Sequence, residues 1–457
     1  MMDKAPTSPI VFDAAPNISF QDRVAQGLAA REQIRPSALG TWNPGTRGHD
    51  ALETILAQGA IRQTDLLPLR HGRMAASPWT YYRGAAAVAA ADLGSRPNSG
   101  LTVQLCGDAH ILNFGLWATP ERNLSFDLRD FDETLPGPFE WDVSRLVASI
   151  VVLARDANLN PSVAEHAVSA CLAAYRSRMA RYSNAKQLDI WYDKVTVDDL
   201  IGVFSKADQK RASSMITKTT AKKTSAGAAK KFTEKINGTL RITEQPPYRT
   251  HFKAAPAETI YSAYRESLED DRRHLLEGFT PVDAVQQVVG VGSVGMRVFL
   301  VLLNGVHDND PLFLQLKQAG PSVYEPFAGA SEYGNHGQRV VAGQRLIQSA
   351  TDIFVGWTSD SGHDFYVRQF RDMKVVADAD ILAPRLVEFA TACGGVLARS
   401  HARSGDPTAI NAYIGKGRKF DEALGQFAVA YADQTSIDHQ QLLTAVNSGV
   451  IPSAPGW

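Results

Sequence analysis

Residues 285–319 read VQQVVGVGSVGMRVFLVLLNGVHDNDPLFLQLKQA, and the order of glycines and apolar runs in this stretch selects the fold. Gly290, Gly292 and Gly295 have the GxGxxG spacing. In a dinucleotide-binding fold such glycines open a helix whose N-terminus meets the pyrophosphate. Here they are followed by MRVFLVLL, a β-branched and aromatic run, then by a turn at NGVHDND and a second apolar run, PLFLQLKQA. That pattern predicts three antiparallel strands in a meander. The glycines, with Ser293 among them, then form a connection between strands that can cover phosphate groups. Lys317 lies in the last strand beside apolar Leu314 and Leu316. A lysine there either reaches phosphates or snorkels from a sheet edge.

Upstream, residues 107–113 read GDAHILN and sit between two strand-like runs, LTVQL and LSFDLRDF, which are expected to pair as a hairpin. Phosphoryl transfer asks little of a protein: a carboxylate that orients the acceptor hydroxyl, and an oxygen ligand for Mg²⁺. Asp108 and Asn113 suit these two roles, and His110 suits that of a brace for the loop. An Asx-rich turn without chemistry is the alternative. Asp127, Asp130, Asp132 and Glu133 follow. Strand alternation puts Asp130 and Asp132 on one face and Asp127 on the other. Carboxylates this crowded repel one another unless a cation lies among them. A divalent metal answers that need, and solvation beside Arg129 is the alternative. Arg73 and Arg83 could meet these carboxylates or a phosphate. His401, within an apolar helix, reads as a core residue, and Asp433 and Asp438 as helix decoration.

The chain has 457 residues, 44% hydrophobic and 21% charged, which predicts a folded protein of two or three units. Its 47 basic and 48 acidic residues exclude a globally basic nucleic-acid coat. Cys106, Cys171 and Cys393 are too dispersed for a disulfide framework or a cysteine-rich zinc site, so the reducing cytoplasm is the expected compartment. The longest apolar run, Leu146 to Ala154, falls short of the roughly 20 residues of a membrane span, and the first residues do not resemble a signal peptide. The expected divisions are an N-terminal arm (1–60) with one helix near Gln21 to Glu32, a catalytic-loop unit (61–205), a Lys-rich surface segment (206–245), a β-rich unit with the glycine loop (246–375) and closing helices (376–457). Helices are expected over Trp79 to Leu93, Val143 to Ala154, Pro161 to Met179, 337–350, 383–402 and 419–433, and a strand over 363–370.

GDAHILNFG followed by DFDE, GP, EWD and RL resembles the bacterial DUF2252 family, as do SPWTYYRGAA (77–86), NHGQRVVAGQRL (335–346), LARSHARSGD (397–406) and YADQ (431–434). The likeness spans roughly residues 60–440 and names no activity. GDAHILN also resembles, more distantly, the catalytic loop of aminoglycoside phosphotransferase-like kinases. That resemblance implies an α+β, protein-kinase-like two-lobe fold. It implies that Asp108 orients the hydroxyl, that Asn113 and Asp130 hold the metal with Asp132 and Asp127 as rivals, and that Gly137, Pro138 and Asp142 match a downstream element. It further implies ATP with Mg²⁺ or Mn²⁺, with Gly290, Gly292, Ser293, Gly295 and Lys317 at the phosphates. In those kinases the glycine loop precedes the catalytic loop, whereas here it follows, so a circular permutation is implied. Glu325 and Glu332 are candidates for the lysine's glutamate partner. The expected partners are a nucleotide and a small-molecule acceptor, without membrane or nucleic acid, and the oligomeric state stays open. A metal-dependent phosphoesterase and a nucleotide-binding pseudokinase scaffold are the alternatives.

Overall fold

The computed structural model describes residues 18–222, 224–252, 256–307, 310–371, 373–375 and 379–455. Its strands, in chain order, are β1 (Thr102–Leu105), β2 (Phe114–Ala118), β3 (Leu124–Leu128), β4 (Leu135–Pro138), β5 (Val195–Thr196), β6 (Thr233–Ile236), β7 (Thr239–Ile242), β8 (Arg249–Thr250), β9 (Thr280–Gln287), β10 (Val298–Asn304), β11 (Pro311–Ala319), β12 (Gly356–Asp360) and β13 (His363–Gln369). Helix and sheet are mixed, as the α+β class requires.

The meander expected over 285–319 is present: β9, β10 and β11 pair antiparallel, with Val301 opposite Leu314 and Ala284. They form the centre of a six-stranded sheet ordered β12-β13-β11-β10-β9-β8. Alternation decides what each face meets. Phe299, Val301 and Leu303 pack with Leu312, Leu314 and Leu316 against Ile260 and Tyr264 of the helix Pro256–Tyr264. Leu300, Leu302 and Phe313 point the other way, toward Ala228 and Phe232. Lys317 and Gln315 share the parity of Phe313. Because β11 lies between β13 and β10, Lys317 is an interior residue of the sheet, and the edge-snorkelling alternative is overturned.

The second unit corrects one expectation. The LTVQL run, β1, does not pair with LSFDLRDF. It pairs with β4, Leu105 opposite Leu135, while β3 pairs with β2, the apolar FGLWA run that the sequence reading left unassigned. Gly107 explains the divergence. It adopts φ +84, and a Cβ there would stand 2.3 Å from the Glu133 carbonyl oxygen, so the chain turns sharply out of β1 against the turn that leads into β4.

These strands rest on the helix Phe139–Asp156, buried on nearly every side and therefore central. Around it pack Pro161–Tyr182, Leu386–Ser404 and Lys419–Asn447. The stretch Ala379–Ser404 has the length and hydropathy of a membrane span, and 61% of its apolar window is buried inside the fold. The Lys-rich segment, expected to be a solvated surface segment, folds as two helices, Lys206–Lys222 and Ser225–Phe232, followed by the β6–β7 hairpin. Ile216 and Phe232 are buried, and the described lysines are exposed. Asp438 is no helix decoration: it is buried and ion-paired to Arg47, which also binds Asp92, both at 2.7 Å.

Candidate functional site

The GDAHILN loop is held rigidly from below. Asp142, in the first turn of Phe139–Asp156, accepts the Cys106 N–H at 2.7 Å and the Gly107 N–H at 3.0 Å. Its Oδ2 also lies 3.4 Å from Nε2 of His401, whose Nδ1 is 2.8 Å from the Tyr175 hydroxyl. All three side chains are buried, so His401 is the core residue expected and a buttress for the loop as well. Ser149 accepts the Ile111 N–H at 2.9 Å, one more attachment to the same helix.

Asp108 stands at the mouth of this loop. Its Oδ1 accepts from Arg145 Nε at 2.6 Å, and its side chain keeps 21% exposure. Burial pushes its carboxyl above the usual range, against the pull of Arg145. Arg145 is fixed in turn by the Tyr82 carbonyl at 3.0 Å and by the Tyr82 ring, 4.4 Å away. His110 Nε2 lies 3.8 Å from Asp108 Oδ2. Burial, with Arg83 and Arg145 nearby, drives its pKa well down, so it is a neutral neighbour.

Asn113 Nδ2 donates to the main-chain carbonyls of Asp108 at 2.9 Å and Asp130 at 3.1 Å. That leaves Asn113 Oδ1 buried without a hydrogen-bond partner, and Asp130 Oδ1 is in the same condition. A buried acceptor costs about 1–3 kcal/mol when unmatched, so two facing one cavity call for a donor or a cation. Although burial opposes its ionisation, Lys317, Arg368 and Arg129 hold the Asp130 carboxyl well below the usual range.

Lys317 closes the group from the sheet. Its Nζ is ion-paired to Asp132 and lies 3.7 Å from Asp130 Oδ1. Burial opposes its charge, but Asp130 and Asp132 keep it protonated. The Tyr366 hydroxyl donates to Asp132 Oδ1 at 2.7 Å, so both Asp132 oxygens are engaged. Arg339 secures this segment by donating to the Asp132 carbonyl at 2.7 Å and the Thr134 carbonyl at 2.6 Å. Asp127, the other rival ligand, lies elsewhere: it is fully buried, paired with Arg399, and accepts the Ser349 N–H at 2.8 Å. Glu325 is not the lysine's partner. Its Oε1 accepts the Ser322 N–H at 3.0 Å, and Glu332 is exposed. Asp132 takes the place expected of a glutamate.

Residues 288–297, between β9 and β10, carry the glycines. Gly290 adopts φ +62 with nothing within 4 Å of a Cβ position, so the main chain is bare toward the cavity there. Its carbonyl accepts from Arg73 at 2.5 Å. Gly290, Gly292, Ser293, Lys317, Asp108, His110, Asn113, Asp130, Asp132 and Glu133 all line one cavity of about 300 Å³. Gly295 is not in the lining: its carbonyl accepts the Gln63 N–H at 2.7 Å, which anchors the loop. Arg62, Arg83, Arg129, Arg368, Arg371 and Lys374 also line the cavity, and with Lys317 they outnumber the four acidic side chains, so the cavity favours a polyanion. Among the described residues no three His, Cys, Asp or Glu side chains gather as a metal cage.

The sequence suggested Arg129 only as a partner of solvated carboxylates, and it did not single out Arg62, Arg368, Arg371 or Lys374. Arg368, Arg371 and Lys374 recur at every third position, a signal that could have drawn attention to them. The chain belongs to the family described as "Uncharacterized protein conserved in bacteria (DUF2252)", which matches residues 62–445. No curated protein and no solved structure matches the chain.

Proposed function

We propose that the protein is an ATP- and Mg²⁺-dependent phosphotransferase acting on a hydroxyl of a small molecule, with a kinase-like arrangement in permuted chain order. One observation carries this: the catalytic-loop carboxylate, two buried acceptor oxygens without hydrogen-bond partners among the described residues, a lysine 185 residues beyond Asp132 and a bare glycine loop share one cavity with an excess of positive charge. Asn113 Oδ1 and Asp130 Oδ1 would hold Mg²⁺. Mg²⁺ is commonly bound by one or two protein oxygens together with substrate phosphates, so the lack of a three-carboxylate cage among the described residues agrees with that use. When bound, Mg²⁺ neutralises charge on the phosphate oxygens.

The chain's own residues do the positioning. Gly290, Gly292 and Ser293 lie over the phosphates. Lys317, held by Asp130 and Asp132, presents a fixed positive charge to them. Asp108 receives the acceptor hydroxyl, and Arg145 fixes which oxygen is offered, since Oδ1 is already bound and Oδ2 is the freer one. Positioning and fixed charges supply the rate. A phosphoesterase would draw on the 127–132 carboxylates as a cluster, but Asp127 is bound by Arg399 and Asp132 by Lys317 and Tyr366.

The test is calorimetry of ATP with and without Mg²⁺ on the wild type, Asp130→Ala and Lys317→Ala. Metal-dependent binding, weakened in both variants, is expected. Absence of binding under every metal condition would overturn the proposal. Binding without any Asp108-dependent release of ADP would reassign the chain as a nucleotide-binding scaffold.

A further inference from the structure

A side cavity of about 60 Å³ adjoins the main cavity, and Arg129, Arg368, Gln369 and Lys374 line both. One water needs about 10–15 Å³ of such space, so the side cavity admits a group of several heavy atoms. Trp117 forms part of its wall. The indole is buried, and its Nε1–H has no partner among the described residues. Lys374 is carried to the cavity by Val375, whose main chain exchanges two hydrogen bonds with Leu116 of β2, at 2.9 and 2.8 Å.

The hydrogen-bond partners of the three cations are neutral among the described residues. Arg129 Nε donates to the Leu112 carbonyl at 2.9 Å. Arg368 donates to Gln315 Oε1 at 3.2 and 3.1 Å and to the Arg129 carbonyl at 3.3 Å. Asp130 is the acid that acts on Lys374. Burial, with Arg368 and Arg129 beside it, drives the Lys374 pKa well down. Asp352 is the one acid in the side-cavity wall, and its oxygens accept main-chain N–H groups of Phe354, at 2.8 Å, and Gln369. Arg129, Arg368 and Lys374 are half-buried, and Asp130 is the acid that acts on all three. Three basic side chains around that carboxylate, beside an unmatched N–H donor, leave an excess of positive charge that suits an anion.

We propose that the side cavity is the anion subsite of the acceptor: the hydroxyl compound carries a phosphate-sized oxyanion, received by Arg368, Lys374 and the Trp117 indole N–H. This names the acceptor class of the phosphotransferase site and rests on that reading for its meaning. The nucleotide would lie at the glycine-loop end, the oxyanion at the opposite end, and Asp108 between them would meet the hydroxyl.

The test is calorimetry of the full chain with inorganic phosphate as probe, alone and after saturation with the Mg²⁺ complex of a non-hydrolysable ATP analogue. Phosphate is expected to bind in both states. Lys374→Gln and Trp117→Phe should each weaken phosphate at least tenfold, and Trp117→Phe, which lies outside the main-cavity lining, should leave analogue affinity within twofold. Lys374→Gln leaves Asp130 to Lys317, Arg368 and Arg129 and alters a half-buried side chain outside any helix or strand, so it retains the fold even if Trp117→Phe does not. An acetate titration distinguishes the source: weaker binding than phosphate indicates a phosphorylated acceptor, equal binding a carboxylate one. Loss of phosphate binding on analogue saturation would overturn the proposal, because the cations would then belong to the nucleotide. Phosphate binding unchanged in both variants, or absent in the wild type, would overturn it too. Variant-sensitive phosphate binding without any analogue binding would preserve the subsite and remove the phosphotransferase reading.

Discussion

Two clusters of buried charge in this protein are built on opposite plans. In the first, Arg47 binds Asp92 through Nε at 2.7 Å and Asp438 through Nη1 at 2.7 Å, and Asp92 also receives the Tyr431 hydroxyl at 2.7 Å and lies 2.8 Å from His49 Nε2. Each charge meets its opposite, and the cluster ties an N-terminal segment to a helix 391 residues later. In the second, Arg129, Arg368 and Lys374 face one another across a cavity, with neutral hydrogen-bond partners or none among the described residues. The first cluster is complete and holds the fold. The second holds more basic than acidic side chains, and the anion proposed above would balance them. Matched burial marks structure and unmatched burial marks function.

The largest effect should come from breaking the complete cluster. Asp92→Ala leaves Arg47 and the Tyr431 hydroxyl short of an acceptor and is expected to cost about 3–5 kcal/mol in denaturant unfolding. Lys317 is the intermediate case, paired and yet in the cavity. Lys317→Met should cost about 1–3 kcal/mol by leaving Asp130 and Asp132 unmatched, and should abolish Mg²⁺-dependent ATP binding as well. A loss of binding with no loss of stability would show that the ion pairs do not support the sheet.

Glu133 supplies a pH-dependent version of the contrast. Burial pushes its carboxyl up to about 7, with the Val323 N–H opposing. The folded state therefore binds a proton that the unfolded state has released between pH 4.5 and 7. Stability should fall as pH rises through that window, by up to about 1.4 kcal/mol per unit. Glu133→Gln should flatten the slope, and unfolding curves at four or five pH values decide it. The smallest effect is expected from the second cluster. Lys374→Met removes one of several cations around Asp130, with Arg368 and Arg129 remaining, and should leave stability unchanged or raise it by about 1 kcal/mol. A loss comparable with that of Asp92→Ala would erase the distinction between the clusters.

Much of the β-sheet was legible because its cause is local. The alternating apolar runs of 298–304 and 311–319 dictate strands, and the short connections dictate antiparallel order. The pairing of β1 was not legible, because Gly107 redirects the chain through a contact with Glu133 that no local pattern encodes. Asp108 and Asn113 could be singled out because both lie within one seven-residue loop. The lysine's partner could not. Glu325 was nearer in sequence, yet Asp132 occupies the position opposite Lys317 in space.

The sequence by itself determined the α+β class, the meander, the family and the residue types available for chemistry, since each depends on neighbours a few positions apart. Only the tertiary structure decided which of those residues share a cavity, which carboxylates are consumed by Arg399 and Lys317, and which cations gather around Asp130. The physical reason is that charge acts over a few ångströms of space, and two groups 185 residues apart along the chain become neighbours only when the chain folds.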